Sequence, residues 1–195
     1  MVPFSIEETR RLIAERRSIK PAEYSEKMIS REIIEDLLKA ANWAPTYAFT
    51  EPWRFDVFTG ESLKELAEFQ SELYKQCMPA EKFREDKYEK MKKMPLQASH
   101  VISIGMKRQV AEKLPEFEEL AAVAMAVQNM HLLATAYGLA AYWTSGGVTN
   151  IEEAKPFFNL GEKDQLLGFF YLGYPKGDWP TGKRKSAIEC KTRWR

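Results

Sequence analysis

The chain has 195 residues, 45% of them hydrophobic and 29% charged, and its 29 Lys+Arg against 28 Asp+Glu leave a net charge of +1. That length and balance suit one globular domain with a sizeable core and offer no global basic field for nucleic acid. No apolar run reaches membrane-spanning length, the Met1–Glu8 stretch lacks a charged-then-apolar leader pattern, and two cysteines, Cys77 and Cys190, suit a reducing compartment, so a cytoplasmic setting is expected.

An amphipathic segment from Ser5 to Glu15 runs directly into Arg16-Arg17-Ser18-Ile19-Lys20. Arg offers a rigid fork of donors, Ser a small hydroxyl and Lys a mobile point charge, a combination suited to a phosphorylated ligand at a helix end. Short basic runs are usually solvated surface, so the cluster gains meaning only from what accompanies it. Ser30 is placed to cap a helix running to Asn42, with Ile33, Ile34, Leu37, Leu38 and Ala41 on one face, ended by Ala44-Pro45. Trp53 to Phe58 alternates as a strand ending at Gly60, and Glu61 to Lys75 reads as a helix. The charged, Met-containing stretch from Met78 to Leu96 is weakly periodic and reads as a surface helix or lid.

His100 to Met106 is a buried strand, and Pro115 opens a long helix from Glu116 to about Tyr137, stopped by Gly138. Its stretch Ala121 to Val127 is apolar on nearly every side, which predicts burial nearly all round, with a subunit interface covering one face. Leu139 to Trp143 is a strand followed by the turn Thr144-Ser145-Gly146-Gly147. Asn150 to Glu153 has capping-box spacing for a short helix to Phe158, and Gln165 to Tyr171 is a further apolar strand. The tail carries Lys183-Arg184-Lys185 and ends near Trp194. Helices and strands mix without regular alternation, which predicts an α+β domain. His100 and His131 stand isolated, so no metal-ligand spacing is present, and no nucleophile motif is found.

Four segments, in order and across nearly the whole chain, resemble the FMN-dependent nitroreductase family, in its small, compact branch. They are Arg16 to Lys20 after an N-terminal helix; Ala41-Asn42-Trp43-Ala44-Pro45-Thr46 followed by Glu51-Pro52-Trp53-Arg54-Phe55; Gly138 to Gly146 with its Tyr-Trp-Thr-Ser-Gly form; and Gly168 to Pro175 followed by the basic group at Lys183. The resemblance implies a central mixed, mostly antiparallel sheet flanked by helices, and an intertwined homodimer with FMN at the subunit interface. It implies ping-pong hydride transfer from NADH or NADPH through FMN to a small-molecule acceptor.

Carried over by motif, Arg16 holds the FMN phosphate, Arg17 and Ser18 serve the phosphate and ribityl chain, and Lys20 sits at the N1–O2 edge. Ser145 and Gly146 present backbone N–H groups toward N5 and O4, with Trp143 and Thr144 beside the ring. Trp43 belongs to the cofactor-binding set, Thr46 and Tyr47 arrive from the partner subunit, and Arg184 or neighbouring Lys183 closes on the phosphate. A cation at N1–O2 stabilises reduced flavin, and no side-chain nucleophile is required because the cofactor carries the difficult step. Glu51 and Phe49 depart from the family pattern and leave the acceptor open among nitroaromatics, quinones and similar electrophiles. A flavin protein with little turnover, a specialised dehalogenase-like or flavin-fragmenting enzyme, and a cofactor-free dimeric module are the alternative readings.

Overall fold

A computed structural model describes residues 4–195; Met1 to Pro3, part of the stretch read for a leader pattern, lie outside them. Nine principal elements follow one another: α1 (Ile6–Glu15), α2 (Arg31–Asn42), β1 (Trp53–Thr59), α3 (Ser62–Cys77), α4 (Glu85–Lys93), β2 (His100–Met106), α5 (Glu116–Ala136), β3 (Ala140–Thr144) and β4 (Gln165–Gly173). The strands form one antiparallel sheet in the order β1-β2-β4-β3. The domain is α+β as expected. Among the described residues the mixed character of its sheet reduces to a single parallel bridge, between Ser18 and Ala141 at the β3 edge.

Strand alternation divides the core into two layers. Ile102, Ile104, Phe170 and Leu172 face α2 and α5, meeting Ile34, Leu37, Ala122, Ala126 and Met130. Val101, Phe169 and Tyr171 face the other way, toward Leu63, Leu66, Tyr74 and Met91 of α3 and α4. The stretch read as a surface helix or lid is therefore docked. Met91 is buried, the Tyr88 hydroxyl donates to Glu72 at 2.7 Å, and the Arg84 amide donates to the Tyr74 hydroxyl at 3.1 Å.

Helix ends follow the sequence unevenly. Ser5 caps α1 by accepting from the Glu8 amide at 3.2 Å, whereas Ser30 occupies the cap position of α2 without a side-chain bond to the helix amides. The capping box at Asn150 does not form. A 3₁₀ turn over Glu152–Phe158 begins after Ile151 instead, with Pro156 inside it limiting the run of helical hydrogen bonds.

For α5, one chain supplies part of the burial read from its sequence. Within one chain it is buried along a single face, through Glu119, Ala122, Val123, Ala126, Met130 and Ala134. Ala121, Ala124 and Met125 on its other side remain exposed. No helix is long and apolar enough to cross a membrane among the described residues.

Candidate active site

The basic segment leaves α1 in extended form along the β3 edge. The Ile19 amide donates to the Ala141 carbonyl at 3.0 Å, and Ile19 is buried while Ser18 and Lys20 point outward. Two buried side chains fix this path. Tyr24 donates its hydroxyl to the Ile19 carbonyl at 2.8 Å. His131 of α5 bonds the Arg17 carbonyl through Nε2 at 2.8 Å, and because a carbonyl only accepts, that nitrogen carries the proton. Burial pushes the His131 pKa down to about 4 against the pull of the Arg17 carbonyl, and the nearby Arg16 charge adds to the lowering. His131 is thus a neutral strut beneath the basic segment. His100 lies elsewhere, its Nδ1 bonded to the Ser99 hydroxyl at 2.9 Å.

The tail closes over this segment. Trp179 donates its indole N–H to the Glu15 carbonyl at 2.7 Å, and Arg17 donates Nε to the Pro180 carbonyl at 2.9 Å. Arg17 also bonds the Ala14 and Arg16 carbonyls, and Gly182 lies so close that a Cβ there would overlap the guanidinium. This occupies Arg17 with holding the tail, a task different from the phosphate contact expected of it.

Docking of the tail brings Arg184 to Arg16 across nearly the whole length of the sequence. Burial first, then the charges of Arg184 and Arg17, lower the pKa of the half-buried Arg16. Among the described residues neither Arg16 nor Arg184 has a carboxylate partner. Converging unpaired cations are stabilised by an anion, and a phosphate matches the forked donors.

From Lys20 inward, a cavity of about 260 Å³ is lined by Tyr142 together with Lys90, Lys93 and Met94 around α4. It adjoins a second cavity of similar size, bounded by Thr144, Gly146 and Gly147 at one wall and sharing Lys90 and Met94. Strand alternation puts Tyr142 and Thr144 on this side and Trp143 on the other. Trp143 packs against the α2–α5 layer and donates its indole N–H to the Leu167 carbonyl at 3.1 Å. A bulge in which Ile104 pairs with Gly168 and Gly105 with Leu166 leaves Leu167 without a cross-strand partner on β2 and its carbonyl free for this bond. Trp143 is therefore a sheet residue, and Tyr142 takes the aromatic place beside Lys20.

Ser145 and Gly146 are exposed at the end of β3, where the Gly146 amide reaches the Thr144 hydroxyl at 3.4 Å, the long limit of a hydrogen bond. Gly168, at φ +119°, runs so close beneath this turn that a Cβ would collide with the Thr144 carbonyl. Gly168→Ala is expected to cost about 1–3 kcal/mol from backbone strain alone and to displace the Thr144–Gly146 turn. Thermal denaturation checks the first effect, and amide chemical shifts at Ser145 and Gly146 check the second.

Trp43, Thr46 and Tyr47 do not join these cavities. Trp43 is 86% exposed at the end of α2, beside Trp53 and Phe55. Thr46 bonds the Thr50 hydroxyl at 3.0 Å and accepts from the Glu51 amide at 3.2 Å, and Tyr47 projects into solvent. Lys90 and Gln70, which do line the cavities, were not singled out from the sequence. The spacing of Lys87, Lys90 and Lys93, three residues apart on α4, is the signal that marks one basic helix face. Among the described residues no cluster of metal-ligating side chains occurs.

Known proteins resemble this sequence and fold. The chain matches the nitroreductase family over residues 13–174. It is 28% identical over 145 residues to "Putative NAD(P)H nitroreductase YdjA" of Escherichia coli (strain K12), covering 74% of this chain and 77% of that one. The nitroreductase-like family protein from Bacillus cereus superposes with a TM-score of 0.80 at 25% identity, covering 100% of this chain and 98% of the other. The FMN-dependent nitroreductase NfnB from Mycobacterium smegmatis, solved with NADPH, shares the fold, with a TM-score of 0.72 at 16% identity over 97% of this chain and 98% of its own. With a matched span that takes in the basic segment, all four strands and the glycine turn, the chain belongs to the nitroreductase family.

Proposed function

We propose that this protein is an FMN-dependent NAD(P)H oxidoreductase that passes reducing equivalents by a ping-pong route to a quinone, nitroaromatic or similar electrophile. The observation that carries this reading is the extended Arg16–Lys20 segment, with unpaired Arg16 beside Arg184 at one end and, at Lys20, a cavity that adjoins the one at Gly146. A phosphate, a polyol chain and a flat heterocycle need those features in that order. The unpaired cations fit a phosphate dianion, and the glycine turn lets backbone donors approach a ring edge.

Arg16 with Arg184 or Lys183 holds the phosphate, Ser18 the ribityl hydroxyls, and Lys20 with Lys90 the electron-rich pyrimidine edge. When bound, FMN supplies hydride acceptance and donation. The chain orients it and screens its charge. The name of the Escherichia coli relative supports the nicotinamide donor, and that of the Mycobacterium smegmatis enzyme supports FMN.

The active form is a homodimer on this reading. Support comes from apolar surface that a single chain leaves uncovered: the outer face of α5, Ile6 and Ile13 of α1, and the Tyr47–Phe49 loop, where Phe49 is 89% exposed. In that loop Ala48, Phe49 and Glu51 have φ of 50°, 52° and 42°. Each left-handed residue costs about 1–2 kcal/mol, and a partner surface is the natural compensation.

The purified protein is expected to be yellow, to release one FMN per chain on denaturation, and to sediment at about twice 22.6 kDa. It should oxidise NADH or NADPH in the presence of a quinone or nitroaromatic. Colourless protein that takes up no FMN, or a monomer holding stoichiometric FMN, would contradict the cofactor and the shared site respectively.

A further inference from the structure

We infer that the tail from Trp179 to Arg184 is a strap whose closure sets how long the protein keeps a phosphorylated flavin, with Trp179 and Arg17 as the positioning residues that lay Arg184 on the phosphate; this rests on the cofactor reading above. A helix ends with carbonyls that none of its own amides can reach. Helix α1 has no basic residue in its last turn, and two of those carbonyls are filled from outside the helix. Arg17 donates to Ala14 at 2.6 Å, and the Trp179 indole donates to Glu15 at 2.7 Å. Arg17 also gives its Nε to the Pro180 carbonyl at 2.9 Å, and its guanidinium lies against Gly182. One side chain thus holds the helix end and the tail together.

Little else secures this segment. The Lys176 amide donates to the Glu23 carbonyl at 2.9 Å, and beyond it the tail makes no further backbone bond to the domain among the described residues. Past Pro175, Trp179 is the one apolar side chain packed against the core, while Ile188 and Trp194 stand in solvent. A segment with so few buried contacts opens at low cost. Its closed position also sets the Arg184 charge near that of Arg16, which opposes docking until an anion lies between them. A phosphate touches Arg184 only when the strap is closed, so closure and phosphate binding favour each other by the same factor. The ribityl chain and ring are held by the body of the domain, so the coupling falls on phosphorylated flavin alone. It is read in the release rate, because a departing phosphate must first part from the strap.

The test follows FMN leaving the loaded protein, by the return of flavin fluorescence after dilution below the Kd. Trp179→Phe keeps an aromatic ring and removes the indole donor. Gly182→Val wedges a branched side chain against the Arg17 guanidinium and breaks its bond to Pro180. Each should speed FMN release about tenfold, as the loss of a hydrogen bond does. Riboflavin affinity, titrated on the flavin-stripped protein, should stay within about twofold of the parent, because no phosphate reaches the strap. Arg184→Ala should release FMN at least as fast. Adding Trp179→Phe to it should change that rate by less than about twofold, the mark of a residue that acts through Arg184.

Parent-like FMN release from both Trp179→Phe and Gly182→Val overturns the strap. Equal losses for FMN and riboflavin overturn it too, because the clasp would then only support the end of α1. Effects of Trp179→Phe and Arg184→Ala that multiply in the double variant point to separate causes and overturn it as well. A parent that takes up no FMN breaks the cofactor reading and the strap with it. A yellow parent whose FMN release ignores Trp179 and Gly182 breaks the strap alone.

Discussion

Replacing Arg16 with alanine is expected to weaken FMN binding by roughly ten- to hundredfold, the equivalent of a charge-assisted contact of about 1.5–3 kcal/mol. Arg16 is half-buried, and its guanidinium faces the charges of Arg184 and Arg17 with no carboxylate partner among the described residues. A phosphate dianion would relieve both the burial and the mutual repulsion, so the loss should be confined to the phosphorylated ligand. Fluorescence titration of the flavin-stripped protein checks this directly. FMN should lose affinity in Arg16→Ala while riboflavin, lacking the phosphate, binds parent and variant alike, and the difference should shrink as salt is raised. Unchanged FMN affinity would remove Arg16 from the site. Equal losses for both ligands would mean that the substitution had disturbed the segment's path along β3.

A second large effect is expected far from the cavities. Glu119 is 1% exposed at the start of α5, where it pairs with Arg108 and accepts the Gln109 amide at 3.0 Å. Arg108 also donates to the Leu114 carbonyl at 2.6 Å, and its own amide donates to Asp164 at 2.8 Å. This network fastens the 107–115 connection between β2 and α5 to the loop before β4. Glu119→Ala strands Arg108 as an uncompensated charge at low exposure, a loss of about 3–5 kcal/mol. For a domain of this length that corresponds to a fall in Tm of roughly 6–20 °C. Calorimetry of the flavin-loaded protein is the measurement. The double variant Arg108→Met/Glu119→Leu should recover most of the loss, because removing both charges leaves nothing unpaired. A double variant as unstable as the single would assign the effect to packing.

Much of the element order was legible because it rests on local chemistry. β2 begins at His100 and ends at Met106 as the apolar run predicts, and α2 stops ahead of Ala44-Pro45 because the residue before proline avoids the helical region. The family was legible for the same reason, since its motifs are short and contiguous. The failures have a common cause in contacts across sequence. Asn150 lost its cap to a 3₁₀ turn around Pro156, and Trp143 stands on the α2–α5 side by strand alternation, where its indole reaches the Leu167 carbonyl. The stretch read as a surface helix or lid holds the helix α4, and packing of α4 on α3 buries its Met91.

The sequence by itself determined the donors at the N-terminal segment, the glycine turn after β3, the apolar periodicity of the main helices and strands and the membership of a family. It did so because rotor geometry, backbone freedom and hydrophobic period are properties of a few adjacent residues. Only the tertiary structure decided which donors face one another. Arg184 meets Arg16 because Trp179 and Arg17 clasp the tail to the end of α1, and Lys90 meets Lys20 because Met91 is buried one position along α4. Such juxtapositions depend on how layers pack, and layer packing is settled by the whole chain at once.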